Sequence, residues 1–448
     1  MAKIVIIGAG SGFGGRLSLD VLSREALQGT EICLCDLNER RLDKVYRYVK
    51  GTIDHYKLPA TVRATTDRLE VLPDADFVVT SVSVGGGAYY GNPYRFEIQI
   101  PQKYGIEQTV ADSMSVGATF RFLRTAPVHM QILRDVERLA PNAVHLNHTN
   151  PMSMLSYLHS TQTHLKTVGL CHGIVHTNQT VCKYLGIEPE KTRYLVAGIN
   201  HLSWFLNWTY EGRNVYDLLR DKLADIDNAE TQEFEIKESV RLELYRQFGY
   251  FPTESNGHDS EYLPYFRRPP ELMEWYHLSP RREVADSRRI TQEWMKEGED
   301  AKLYGEIVRY EEYTTGIMEA FITDVPFKFY GNVMNKGLIS NLPQNLCVEV
   351  PCMADAQGIN PVHVGSLPTQ LAVMNRPQMS IQELGVQAVV NRDREAAFYA
   401  VALDPNVAAV CSLPRIREMF EELWVAEGNL LAWFDPSHTG PVPEICAP

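Results

Sequence analysis

KIVIIGAGSGFGGR, residues 3–16, decides the fold. Residues 4–7 are apolar and β-branched, the composition of a strand buried on both faces. A glycine-rich turn, GAGSGFGG (8–15), follows at once, and RLSLDVLSREALQ (16–28) spaces its apolar residues like a helix. Strand, glycine turn and helix open a dinucleotide-binding unit. Gly8 and Gly10 leave backbone amides unobstructed where a pyrophosphate would meet the helix N-terminus. Ser11, Gly12 and Phe13 complete the expected cofactor loop. The third glycine of the fingerprint is ambiguous: counted from Gly8 its position holds Phe13, whereas counting from Gly10 gives the run Gly10, Gly12, Gly14, Gly15. EICLCD (31–36) reads as the second strand and ends in Asp36, 26 residues after Gly10. A carboxylate there takes both hydroxyls of the adenosine ribose and repels a 2′-phosphate, so NAD is expected rather than NADP.

Outward from this unit, strand and helix signals alternate. NERRLDKVYRYVKGTI (38–53) reads as a helix, ATVRATTD (60–67) as a strand and turn, and ADFVVTSVSV (75–84) as a buried strand. Gly85–Gly87 follow as a loop over the nicotinamide half. Residues 118–140 carry a long helical pattern, 143–151 a strand stopped by proline, 152–163 a helix and 166–173 a further strand. This alternation predicts an α/β fold, a Rossmann-type parallel sheet with right-handed crossovers. The remainder mixes strand signal (194–210) with helices at 392–410 and 413–434, which predicts a second, interlocked α+β domain. The expected division is 1–190 for NAD binding and 191–448 for metal, substrate and oligomerisation.

The net charge of −13 argues against nucleic acid or an anionic membrane as partner. No apolar run approaches the ~20 residues of a membrane span. Eight scattered cysteines show neither zinc-knuckle spacing nor a disulfide framework, and the first residues lack the apolar core of a secretory signal, so a cytoplasmic setting is expected.

Seven stretches together resemble glycoside hydrolase family 4. They are IGAGSGF (7–13), IPQKYGIEQTVADSMSVGATFRFLRT (100–125), LNHTNPM (146–152), GLCHG (169–173), GINHLSW (198–204), ESNGHDSEYLPYF (254–266) and NKGLISNLPQNLCVEVPC (335–352). The resemblance implies a lactate/malate-dehydrogenase-like fold, NAD, a divalent metal such as Mn2+, and a homodimer or homotetramer. It implies that Cys171 and His201 are the metal ligands, and that Asn150, Asp112 and Asn200 are substrate-binding residues. It further implies that Tyr262 is the base, with Tyr265 as fallback. On that route NAD takes hydride from C3 of the sugar, the C2 proton becomes acidic, the C1 group is eliminated, water adds, and the hydride returns.

His172, directly after the metal cysteine, has a near-neutral pKa suited to the leaving-group acid. Cys171-His172-Gly173 resembles the α-glucuronidase branch, so unphosphorylated α-glucuronides or related uronides are the expected substrates, with α-galactosidase or α-galacturonidase activity as the alternative. A uronate needs a cation, for which Arg95, Arg121, Arg124 and His176 are available. A 2-hydroxyacid dehydrogenase on the same fold would need a His–Asp relay and a substrate arginine and no metal thiolate. A non-catalytic NAD sensor would not need the Cys171 and His201 pair.

Overall fold

The computed structural model describes residues 1–438 and 440, apart from 87–88, 269–270, 288, 290, 297–300 and 311. Gly87 of the expected glycine loop therefore lies outside the described residues. The first strands form where the sequence is β-branched and apolar: β1 (Lys3–Ile7), β2 (Glu31–Cys35), β3 (Thr61–Thr65), β4 (Phe77–Thr80), β5 (Val144–Asn147) and β6 (Lys166–Gly169). They pair in parallel in the order β3-β2-β1-β4-β5-β6. β1, β2, β4 and β5 are buried nearly throughout, whereas β3 (TVRAT), the edge strand, is polar and largely exposed.

Strand order reverses direction between β1 and β4, which opens a crevice at their carboxyl ends. Three loops meet there: the glycine turn after β1, residues 81–86 after β4 and 148–150 after β5.

The second half continues the same sheet. β7 (Thr192–Ile199) and β8 (Leu202–Tyr210) form a hairpin, followed by β9 (Arg213–Asn214), β10 (Phe327–Met334), β11 (Cys347–Asp355) and β12 (Gly358–Pro361). β10 pairs antiparallel with β6 through Asn332 and Gly169, and β11 joins it to the hairpin. Twelve described strands thus share one sheet. The stretch 194–210, read as strand, turns on two residues, Asn200 and His201, with Ile199 facing Leu202. The helical reading of 392–410 is interrupted: helices Arg394–Ala402 and Pro405–Ala408 are separated where Asp404 caps the second. Helix Val116–Leu139 is buried over most of its length, and helix Thr369–Asn391, unread in the sequence, packs on it and on helix Met152–Gln162. Among the described residues no helix is long and apolar enough to cross a membrane.

Candidate active site

A cleft of about 330 Å³ runs through the crevice, from Cys35, Asp36 and Arg41 past Gly8, Gly10, Ser11 and Phe13 to Asp112, His148 and Asn150. Its glycines have separate reasons. Gly8 holds φ +88, and a Cβ there would lie 2.1 Å from the Ser81 carbonyl oxygen. A Cβ on Gly10 would strike the Asp36 carboxylate, whose Oδ2 accepts the Gly10 amide at 2.8 Å. Gly14 packs the helix against the Ala9 carbonyl oxygen, 2.2 Å from an added Cβ, and so fills the role of the third glycine. Gly12, expected at the cofactor, does not line the cleft; the Gln292 side chain lies where its Cβ would be. Ser11 Oγ is buried with no partner in the protein. A backbone turn with no Cβ at Gly8 or Gly10, an unused hydroxyl and Asp36 at the far end fit a dinucleotide.

The metal candidates come together. Cys171 follows β6 and precedes helix Gly173–Leu185; His201 occupies the second position of the β7–β8 turn with φ 63. Cys171 Sγ lies 3.3 Å from His201 Nε2 and 3.5 Å from Glu254 Oε1. The ligand atoms of these three residues lie within 4.8 Å of one another, and so do those of Asp112, His201 and His258. Gly173 makes room for this arrangement, since a Cβ there would meet Glu254 Oε1 at 2.2 Å.

The proton count around His201 fixes its tautomer. Ser113 Oγ donates to Asp112 Oδ1 at 2.6 Å, so the same oxygen accepts from His201 Nδ1 at 2.7 Å. Nε2 then presents its lone pair to Cys171 and Glu254, as a metal-binding imidazole must. Burial drives the His201 pKa down to about 4, which keeps the ring neutral.

Asp112 is the hub. Tyr89 Oη at 2.7 Å and Asn150 Nδ2 at 2.9 Å donate to its Oδ2; Ser113 and His258 Nε2 (3.1 Å) share its Oδ1. Burial alone would raise its pKa, but the hydrogen bond and charge of His258, with His201 and Arg121, hold it well below the carboxylate range. Glu254, though buried, is pulled down to about 2 by His201 and His258. His258, between the two carboxylates, is raised to about 10 against its burial. Glu261 fixes the approach to Asp112: its carboxylate accepts the amides of Thr109, Val110 and Ala111 at 2.6 to 3.1 Å.

The other expected residues are placed differently. Asn200 turns away from the cleft and donates to Glu349 Oε1 at 3.4 Å. Glu349, buried, is raised to about 7 and also accepts from Ser203 at 2.8 Å and Asn332 at 3.2 Å. Tyr262 is 1% exposed, its hydroxyl donates to the Asn200 carbonyl at 2.9 Å, and burial with Asp112 and Glu254 pushes its pKa well up. Tyr265 is half exposed and packs beside Phe248. His172 caps helix Gly173–Leu185 with Nδ1 3.6 Å from Glu312 Oε1, and Glu312 raises its pKa although burial opposes it. Cys171, His172 and His201 are not among the residues lining the cleft; the link runs through Asp112 and Ser113.

The family models Family 4 glycosyl hydrolase and Family 4 glycosyl hydrolase C-terminal domain match residues 3–187 and 196–407. The chain belongs to glycosyl hydrolase family 4. This family 4 chain is a glycosidase. It is 37% identical over 440 residues to an α-galactosidase of Bacillus subtilis (strain 168), covering 96% of this chain and 99% of that protein. An α-galactosidase of Rhizobium meliloti (strain 1021) is 34% identical, over 96% and 89%. Among solved structures, lplD of Bacillus subtilis superposes with TM-score 0.80 at 22% identity, over 94% of this chain and 99% of the other. A 6-phospho-α-glucosidase from gut microorganisms, in complex with NAD and Mn2+, gives 0.73 at 17%, over 96% and 98%. Malate dehydrogenase of Plasmodium falciparum gives 0.53 at 14%, over 90% and 100%, in keeping with the dehydrogenase-like fold.

Sequence reasoning alone did not single out Glu254, His258, Ser113, Glu261 or Glu312. Glu254 and His258 stand four apart in ESNGHDSEY, a short segment dense in polar side chains, and that spacing was the available signal.

Proposed function

We propose that this family 4 glycosidase cleaves unphosphorylated α-galactosides, using NAD and a divalent cation such as manganese. One observation carries the chemistry: Cys171 Sγ and His201 Nε2 stand 3.3 Å apart and connect through Ser113 to Asp112 at the end of the dinucleotide cleft. Two relatives at 37% and 34% identity named α-galactosidase support the galactoside over the expected glucuronide. Gly173 has a packing reason in Glu254 that is independent of the sugar. Of the cations a uronate could use, Arg95 is paired with Asp286 and Arg124 with Glu97, while Arg121 lines the cleft with no ion pair among the described residues.

Cys171 and His201 would hold the cation, with Glu254 as third protein ligand; a thiolate, an imidazole and a carboxylate suit a divalent metal with open positions. When bound, NAD supplies a hydride acceptor and the cation a Lewis acid. The chain's own residues do the rest. Asp112 and Asn150 present an anion and an amide to sugar hydroxyls, held rigid by the hydrogen bonds of Tyr89 and Ser113. We assign the leaving-group proton to His172, which Glu312 keeps toward its protonated form. We assign proton removal at C2 to Tyr262, whose phenol must first surrender its bond to Asn200 and its proton, against burial and two carboxylates. A cation held by Cys171 and His201 would favour that loss of the proton.

The test is a panel of aryl α-glycosides assayed with NAD and manganese: galactoside, glucuronide, galacturonide and 6-phosphoglucoside. The galactoside should turn over without accumulation of NADH, and Cys171→Ser should abolish turnover while NAD still binds. Preference for a uronide, or NADH accumulating in step with product, would overturn the proposal.

A further inference from the structure

The cleft contains a buried cation whose donors the protein does not use. Arg121 lies on helix Val116–Leu139 and lines the cleft together with Thr125, Val128 and Ile132. Steps of four, three and four residues put these side chains on one helical face, a row of about 16 Å at ~1.5 Å per residue. Ile132 packs with Ile7 and Cys35 at the Asp36 end. Arg121 therefore marks the opposite end, which it shares with Asp112 and Asn150.

Its side chain is 5% exposed, yet among the described residues no hydrogen bond or ion pair reaches it, and Nε is buried without a partner. Glu97 Oε2 has no partner of its own, yet it stands beyond ion-pair distance of Arg121, and the other nearby acceptors are taken. Glu97 Oε1 takes Arg124 at 2.6 Å, and the two Asp112 oxygens accept from four groups. Aromatic faces hold the guanidinium instead, with its carbon 5.5 Å from the Tyr89 centroid and 5.6 Å from that of Tyr94. A desolvated guanidinium with idle donors is costly unless a ligand brings acceptors. Arg281 stands over the same two rings at 5.7 Å, and Asp112, Glu97 and Glu254 face this cluster of cations, while burial raises Glu427 to about 8. The ligand must supply lone pairs.

We propose that Arg121 is a substrate-binding residue whose planar fork donates to adjacent hydroxyl oxygens of the hexosyl unit. This rests on the reading of the chain as a galactosidase. Arg121→Gln and Arg121→Lys in the full chain are compared with the unaltered protein on an aryl α-galactoside, with NAD and manganese, alongside NAD affinity. Loss of a charge-assisted pair should lower kcat/KM roughly 30- to 100-fold in Arg121→Gln, chiefly through KM, with NAD affinity held within about twofold. Lysine keeps the charge and the stem and guards against a folding defect; lacking the fork, it should still lose about tenfold. Activity of both variants within about threefold of the original would overturn the proposal. So would NAD affinity falling in step with kcat/KM, which would put Arg121 on the dinucleotide, or an Arg121-dependent preference for a uronide. If the unaltered protein ignores the galactoside but cleaves another neutral glycoside, the galactoside reading fails, and the same ratios on that glycoside still decide the role of Arg121.

Discussion

Replacing Gly173 with alanine adds one methyl group beside the metal candidates. The new Cβ would lie 2.2 Å from Glu254 Oε1 and 2.9 Å from the carboxylate carbon, whereas ordinary contact begins at 3.4 Å. The carboxylate must therefore withdraw by about 1 Å, a movement cheap for folding because it is the end of a flexible side chain. Position 173 opens a helix, where alanine is the better residue by up to ~1 kcal/mol, so thermal stability should hold or rise. A metal–oxygen bond near ~2.1 Å tolerates displacement of only about 0.2 Å, so the Glu254 ligand would be lost. Manganese affinity should fall roughly 10- to 100-fold, equivalent to about 1.4 to 2.7 kcal/mol, with NAD affinity unchanged. Manganese titration followed by calorimetry or electron paramagnetic resonance reads this directly. Unaltered manganese affinity in a folded Gly173→Ala protein would refute the role given to Glu254 and the reason given for Gly173.

Tyr262→Phe should stop exchange of the sugar C2 proton with solvent, measured in deuterium oxide, while manganese binding persists; exchange at the original rate would remove Tyr262 as base. Asp404, which caps helix Pro405–Ala408, is 2% exposed and burial raises its pKa to about 7. The folded state thus holds this proton more tightly than the unfolded chain, near ~3.9, so its contribution is present below about pH 4 and is lost as pH rises through about 7. Asp404→Asn should flatten that loss, by up to about 4 kcal/mol, in urea unfolding compared at pH 4.5 and 8; parallel pH profiles would refute the assignment.

Much of the nucleotide half was legible because its signals are local. Val5, Cys33 and Val78 sit in short apolar runs bounded by turns, and Asp36 ends one of them. The glycine register was not legible: whether Gly12 or Gly14 is the third glycine depends on what leans on each, and Gln292 comes from a distant part of the chain. Asn200 and His201 form a two-residue turn inside a continuous apolar stretch, so the hairpin was hidden, although Asp404-Pro405 did carry a visible break signal. Helix Thr369–Asn391 contains Pro377 and buries polar Asn375, Gln378 and Gln382, which blurs its amphipathic pattern. The candidate site draws on residues 112, 171, 201, 254 and 258, joined by tertiary folding alone; the family resemblance, not periodicity, pointed to Cys171 and His201.

The seam between β6 and β10 bears on how such a protein could move. A single hydrogen-bonded fabric passes from β2, which ends just before Asp36, to the His201 turn between β7 and β8, with Asn332 stitching Gly169 at the join. Jaw-like swinging of the two halves would have to tear that stitch. The spacing between the Asp36 carboxylate and the thiol–imidazole pair is thereby built into the scaffold like the gauge of a track.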